Sequence, residues 1–120
     1  LELFCGSGTF TVPLARLFRR VWAVESEPRA VDTAERNLRW NSQGNATVLQ
    51  LPAEDALAAA ALHQIRAGAP EREGFHIRAP SAARLFPALQ SFRTAGARLD
   101  TLLVDPPRGG LGPAMAGQLG

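Results

Sequence analysis

Apolar residues along this chain fall into short continuous runs, separated by stretches in which they recur every three or four positions. That is the alternation of buried strands with amphipathic helices. Leu1-Glu2-Leu3-Phe4 reads as the tail of a buried strand, followed by the turn Cys5-Gly6-Ser7-Gly8-Thr9 and a helix over about Thr9 to Arg19. Val21 to Glu25, β-branched and aromatic, is a second strand. A helix over Pro28 to Trp40 carries an apolar stripe of Ala30, Val31, Ala34 and Leu38, and Gly44 in the loop Asn41 to Asn45 is placed to end it. Ala46 to Leu51 is the third strand, and an alanine-rich helix runs from Ala53 to about Ala67. Gly68 to Pro80, dense in Gly, Pro and charge, is an exposed loop or insertion. A further helix over Ser81 to Phe92, capped by Ser81, would bury Leu85, Phe86, Leu89 and Phe92. Leu99 to Val104 is the fourth strand. The pattern predicts an α/β fold, Rossmann-like, with a doubly wound and mostly parallel sheet.

Two strand ends carry candidate chemistry. After the first strand, Gly6 and Gly8 permit positive φ and let a ligand approach the backbone, while Ser7 or Thr9 could cap the helix that follows. Glu25 ends the second strand about 17 residues after Gly8, where an acid can accept both hydroxyls of a ribose. A dinucleotide fingerprint wants a third glycine three residues after the second, and Thr11 stands there, so a cofactor with a ribose and no pyrophosphate fits better. S-adenosylmethionine is such a molecule. Asp105-Pro106-Pro107-Arg108 follows the apolar run Leu102-Leu103-Val104, and two prolines force the chain out of the ladder as a stiff loop that holds a carboxylate at the strand's carboxyl end. Ligands of open α/β sheets bind at such ends.

Charge alone names no partner. Thirteen basic residues against 11 acidic ones give a net charge of +2, too small for a strong basic field. Every basic residue is arginine, which suits phosphate and base recognition and is equally what a GC-rich genome writes for lysine. The single cysteine excludes an internal disulfide and fits a reducing, cytoplasmic setting. No apolar run approaches the roughly 20 residues of a membrane span. His63 and His76 have no partner at ligand spacing, so no metal is expected and both read as surface residues. The chain begins without methionine in mid-strand and stops in a glycine- and alanine-rich run, as a fragment truncated after the fourth strand would.

Leu3-Phe4-Cys5-Gly6-Ser7-Gly8-Thr9-Phe10, Val24-Glu25-Ser26-Glu27-Pro28, Asn37 to Asn41 and Asp105-Pro106-Pro107-Arg108-Gly109-Gly110-Leu111 together resemble the cofactor domain of the RNA uracil-5-methyltransferases, class I enzymes dependent on S-adenosyl-L-methionine. The tRNA-modifying branch resembles it most, with ribosomal RNA the alternative substrate. The resemblance implies that Phe4, Gly6, Gly8 and Thr9 line the cofactor pocket and that Glu25 takes the ribose hydroxyls. Asp105 would face the cofactor's amino-acid end or the target base. Thr9 departs from the asparagine often found at its position. Glu54 or Asp55 would meet the adenine amino group, or serve only as acids at a helix amino terminus. Arg108 would hold an RNA phosphate or pair with an acid. In this family a cysteine adds to C6 of uracil and a glutamate removes the C5 proton; both are expected beyond Gly120. Cys5, inside the cofactor loop, reads as a small buried hydrophobe. Two other classes compete: an amino-directed nucleic-acid methyltransferase, disfavoured because Arg108 stands where an aromatic usually follows the prolines, and a non-catalytic nucleotide- or RNA-binding module.

Overall fold

A computed structural model describes residues 1–66, 82–96 and 98–119. The element order is β1 (Glu2–Leu3), α1 (Thr11–Leu17), β2 (Val21–Glu25), α2 (Pro28–Trp40), β3 (Ala46–Gln50), α3 (Ala53–Arg66), α4 (Ala82–Ala95), β4 (Leu103–Val104) and α5 (Pro113–Leu119). The insertion expected over 68–80 and the cap expected at Ser81 lie outside the described residues.

The chain divides into two compact units. The first comprises Leu1–Ala53 and Thr101–Pro107, the second Glu54–Asp100 and Arg108–Gly120. The first holds a four-stranded sheet in the order β3-β2-β1-β4, with every neighbouring pair parallel. Leu3 pairs with Val24 on one side and Val104 on the other. Val21, Trp22, Ala23 and Val24 are all buried, as a central parallel strand requires. This is the predicted α/β, Rossmann-like, parallel architecture, and its direction of winding reverses between β1 and β4.

Helix α2 has the predicted bounds. Pro28 occupies its first turn, the Glu27 carboxylate accepts from the Ala30 amide at 2.7 Å, and Val31, Ala34 and Leu38 are buried. It ends differently from expectation: Ser42 at φ 55 takes the left-handed position foreseen for Gly44. The Ser42 amide donates to Arg39 O and the Gln43 amide to Leu38 O, both at about 3 Å. This is a Schellman closure built on serine.

Helix α1 starts at Thr11, two residues later than expected, and neither Ser7 nor Thr9 caps it. Its cap position is Phe10, with no side-chain bond. Gly8 at φ 84 holds residues 6–10 in turns, so the helix cannot begin until they end. β4 is likewise shorter than the predicted Leu99 to Val104.

In the second unit α3 buries residues 56–60 consecutively, and α4 buries Ala88 and Phe92. Of the stripe predicted for α4, Phe92 is buried and Leu89 half-buried, whereas Phe86 is exposed. His63 is no simple surface residue. Its ring lies 5.8 Å from that of Phe92, tilted at 52°. Among the described residues no helix is long and apolar enough to cross a membrane.

Candidate functional site at the carboxyl ends of β1, β2 and β4

Parallel pairing puts the segments that follow β1, β2 and β4 on one edge of the first unit, where the winding reverses. The chain after β1 is held from three directions. Cys5 N–H donates to Val24 O and Gly8 N–H to Cys5 O, each at 2.9 Å. Asn37 of α2 donates through Nδ2 to Ser7 O at 2.8 Å. From the end of β2, Glu25 accepts the Gly6 amide on Oε2 at 3.0 Å and the Ser26 and Glu27 amides on Oε1 at 2.8 and 2.9 Å. A carboxylate offers about four in-plane acceptor positions. Three backbone amides therefore leave Glu25 roughly one.

The two glycines do different work. Both have positive φ, 55 at Gly6 and 84 at Gly8. A Cβ on Gly6 would meet nothing within 4 Å, so open space lies over it. One on Gly8 would lie 3.3 Å from both Cα and Cβ of Ala34, so Gly8 lets the loop seat against α2. Phe4, half-buried, takes φ 62, a left-handed conformation that is costly for a bulky side chain. Thr9 is exposed, with its Oγ1 3.4 Å from Ser7 Oγ. Asp105 is exposed at the end of β4, its amide donating to Leu3 O at 3.4 Å.

Cys5 faces inward. It is buried in a cluster with Ala23 and Ala34, against which Val48 packs. Burial first, then the negative charges of Glu2 and Glu25, push its thiol from 9.0 up to about 12. A thiol held protonated is no nucleophile at neutral pH. Among the described residues, no cluster of His, Cys, Asp and Glu could hold a metal ion.

Sequence reasoning missed one feature below the loop. Glu2, on β1, is buried to 1% exposure and accepts from Thr11 Oγ1 at 2.6 Å, while its Oε1 has no hydrogen-bond partner among the described residues. Burial raises its carboxyl pKa above the ordinary 4.5, opposed by the Thr11 hydroxyl. An acid inside the apolar run Leu1 to Phe4 was the signal. Of the other expected residues, Asp55 is buried and Glu54 exposed in the first turn of α3, and Arg108 is exposed.

The acceptor set fits a nucleoside bearing an ammonium. The edge offers open space over a glycine, a partly satisfied carboxylate at Glu25 and a solvated one at Asp105.

Comparisons with known proteins show the family. The family described as tRNA (Uracil-5-)-methyltransferase matches residues 1–118. A protein of Azoarcus sp. (strain BH72) named tRNA/tmRNA (uracil-C(5))-methyltransferase is 36% identical over 114 residues, which are 95% of this chain and 26% of that protein. Proteins of the same name from Musicola paradisiaca (strain Ech703) and Pseudoalteromonas atlantica (strain T6c / ATCC BAA-1087) are 34% and 33% identical, each over 92% of this chain and 25% of the relative. The chain spans about a quarter of the length of the curated relatives it matches.

Proposed function

Because this chain belongs to the tRNA (uracil-5-)-methyltransferase family, we propose that it forms the first half of the S-adenosylmethionine-binding domain of an enzyme that methylates C5 of uridine in tRNA. The observation that carries this reading is the Glu25 carboxylate, which fastens the glycine loop through the Gly6 amide and keeps one acceptor position for a ribose hydroxyl.

S-adenosylmethionine, when bound, supplies an electrophilic methyl group. The chain's own part is to bind and orient. Glu25 accepts from the ribose, the face of Gly6 gives the nucleoside room, and Phe4 and Thr9 line the approach. The Asp105 carboxylate accepts hydrogen bonds from the ammonium of the amino-acid end or from a ring N–H of the base. Gly8 serves the same site indirectly, by letting the loop seat on α2. Activation of the uracil ring needs a thiolate and a base. The burial of Cys5 argues against it in the first role, and the proposal assigns both groups to residues other than those of this chain. The location that goes with this proposal is the cytoplasm.

The test is transfer of labelled methyl from S-adenosylmethionine by the intact protein to unmodified tRNA and, in parallel, to unmodified ribosomal RNA. Label recovered as 5-methyluridine in tRNA is the expected result. Label in ribosomal RNA alone would overturn the choice of substrate, and cofactor binding without transfer to either would overturn the enzymatic reading.

A further inference from the structure

The edge of the sheet opposite the cofactor loop carries a different chemistry. Helices α1 and α2 each run back from the carboxyl end of a strand, so their last turns lie at the amino ends of the parallel strands. Residues 12–24 and 36–53 supply this end with five arginines (Arg16, Arg19, Arg20, Arg36 and Arg39) and not one Asp or Glu. The acids of the unit's exposed surface, Glu25, Glu27, Asp32, Glu35 and Asp105, lie after strand ends or earlier along α2. Charge is therefore segregated along the strand direction although the chain as a whole is nearly neutral.

Hydrogen bonds tie the ends of the two helices and the following loop together. Arg16 Nη2 donates to Asn41 Oδ1 at 3.3 Å, linking the two helix ends. Asn45 Nδ2 donates to Ala15 O at 2.7 Å and Phe18 O at 2.9 Å, closing α1 against the following loop. On this frame large apolar groups stand in solvent: Trp40 is 74% exposed and Leu17 79%. Interaction with helix dipoles accounts for Arg16 and Arg39, which occupy last turns. It does not account for Arg19, Arg36 or an exposed indole. Guanidinium groups beside an open aromatic face are complementary to a phosphate backbone with accessible bases, and they outnumber the two acids, Asp32 and Glu35, that stand one turn before Arg36 and Arg39.

We propose that this end of the first unit is a second RNA contact surface, in which Arg16, Arg19, Arg36 and Arg39 meet phosphates and Trp40 offers a stacking face. The inference rests on the RNA substrate proposed above and adds where that RNA is gripped. Helix α2, with 13 residues, sets the two ends about 20 Å apart. An RNA bridging them carries phosphates along its whole path. The surface supplies affinity and orientation without base-specific readout.

The experiment is binding of unmodified tRNA to the intact protein between about 50 and 200 mM salt. It compares wild type with Arg19→Glu/Arg39→Glu and Arg19→Lys/Arg39→Lys, with cofactor affinity by calorimetry and thermal melting as controls on folding. Charge reversal is expected to weaken RNA binding at least about tenfold and to lower the slope of log K against log salt by about 1.5, near one unit per lost phosphate contact. The lysine pair retains both, and cofactor affinity stays at the wild-type value. Unchanged RNA affinity and slope in the charge-reversed protein would overturn the inference while leaving the methylation reading intact; an acidic protein partner for this face would register in that way. An intact protein that binds no RNA would overturn both.

Discussion

Placing a methyl group on Gly8 separates two demands that the sequence alone superimposes, backbone conformation and close approach. At φ 84 any residue with a Cβ meets its own carbonyl, at a cost of about 1–2 kcal/mol. The new Cβ would also stand 3.3 Å from both Cα and Cβ of Ala34. The first of these is backbone in the middle of α2 and cannot rotate aside, so overpacking adds about 1–3 kcal/mol. Lower entropy of the unfolded chain returns about 0.4–1 kcal/mol. Gly8→Ala should thus weaken the first unit by about 2–3 kcal/mol net of these terms. Gly6→Ala carries a similar conformational cost at φ 55 but meets no atom within 4 Å, which leaves about 0.5–1 kcal/mol.

Amide hydrogen exchange of β2 and α2 in the intact protein reads this difference, since local opening free energies are resolved segment by segment. Exchange of these segments should accelerate about five- to sixtyfold further in Gly8→Ala than in Gly6→Ala, at about 1.4 kcal/mol per factor of ten. Ala34→Gly in the Gly8→Ala background removes one of the two close atoms and should restore about 0.5–1.5 kcal/mol by coupling, against about 1 kcal/mol lost from a glycine in a helix. Equal effects of the two alanine substitutions would refute the claim that Gly8 is spent on packing.

Glu25→Ala removes the acceptor of three amides and should weaken cofactor binding by about 1–3 kcal/mol in calorimetry; unchanged affinity would remove its assigned role. Cys5→Ala should retain methyl transfer by the intact protein, and the native thiol should resist alkylation at pH 8 until denaturant is added; loss of turnover with cofactor binding intact would restore Cys5 as a nucleophile. For that thiol the folded pKa is raised from 9.0 to about 12, so its contribution to stability is complete below pH 9 and is lost as the pH rises toward 12, an alkaline loss that Cys5→Ala should not show. Glu2 is also raised, by burial, so its contribution is complete below its unfolded pKa and declines as the pH rises through the folded value. Unfolding of Glu2→Gln against wild type from pH 4 to 8 should favour the variant progressively with pH, and a pH-independent difference would contradict a buried acid.

Much of the architecture was legible because periodicity and turn chemistry agreed. Pro28 and the stripe Val31, Ala34, Leu38 gave α2 its bounds to the residue, and the all-apolar Val21 to Val24 marked a central strand. Failures came where tertiary contact overrode local preference. Ser42 closes α2 in a conformation glycine would adopt more cheaply, because the loop must turn there to bring Asn45 under α1. Phe86 stands six positions before Phe92, about 120° away around the helix, so it falls outside the face that Ala88 and Phe92 bury. At the site, the glycine and acid positions were readable from spacing. The partition of Gly6 toward open space and Gly8 toward Ala34 was not, because it depends on how close α2 comes to the loop.

The loop combines strain and anchorage in a way that bears on recognition. Phe4 at φ 62 and two glycines at positive φ describe a segment with little intrinsic preference for its shape. What fixes it comes from later in the chain: Val24 O on Cys5, Asn37 on Ser7 and Glu25 on Gly6. A ribose engaging Glu25 meets a carboxylate whose position already depends on the loop being in place. On the role proposed for Glu25, loop order and cofactor affinity are linked through one side chain, and a substitution that loosens β2 or α2 should lower affinity without touching the ligand. Placing the acid at the end of β2 lets a short strand hold the loop of its neighbour and keep one acceptor position for a ligand.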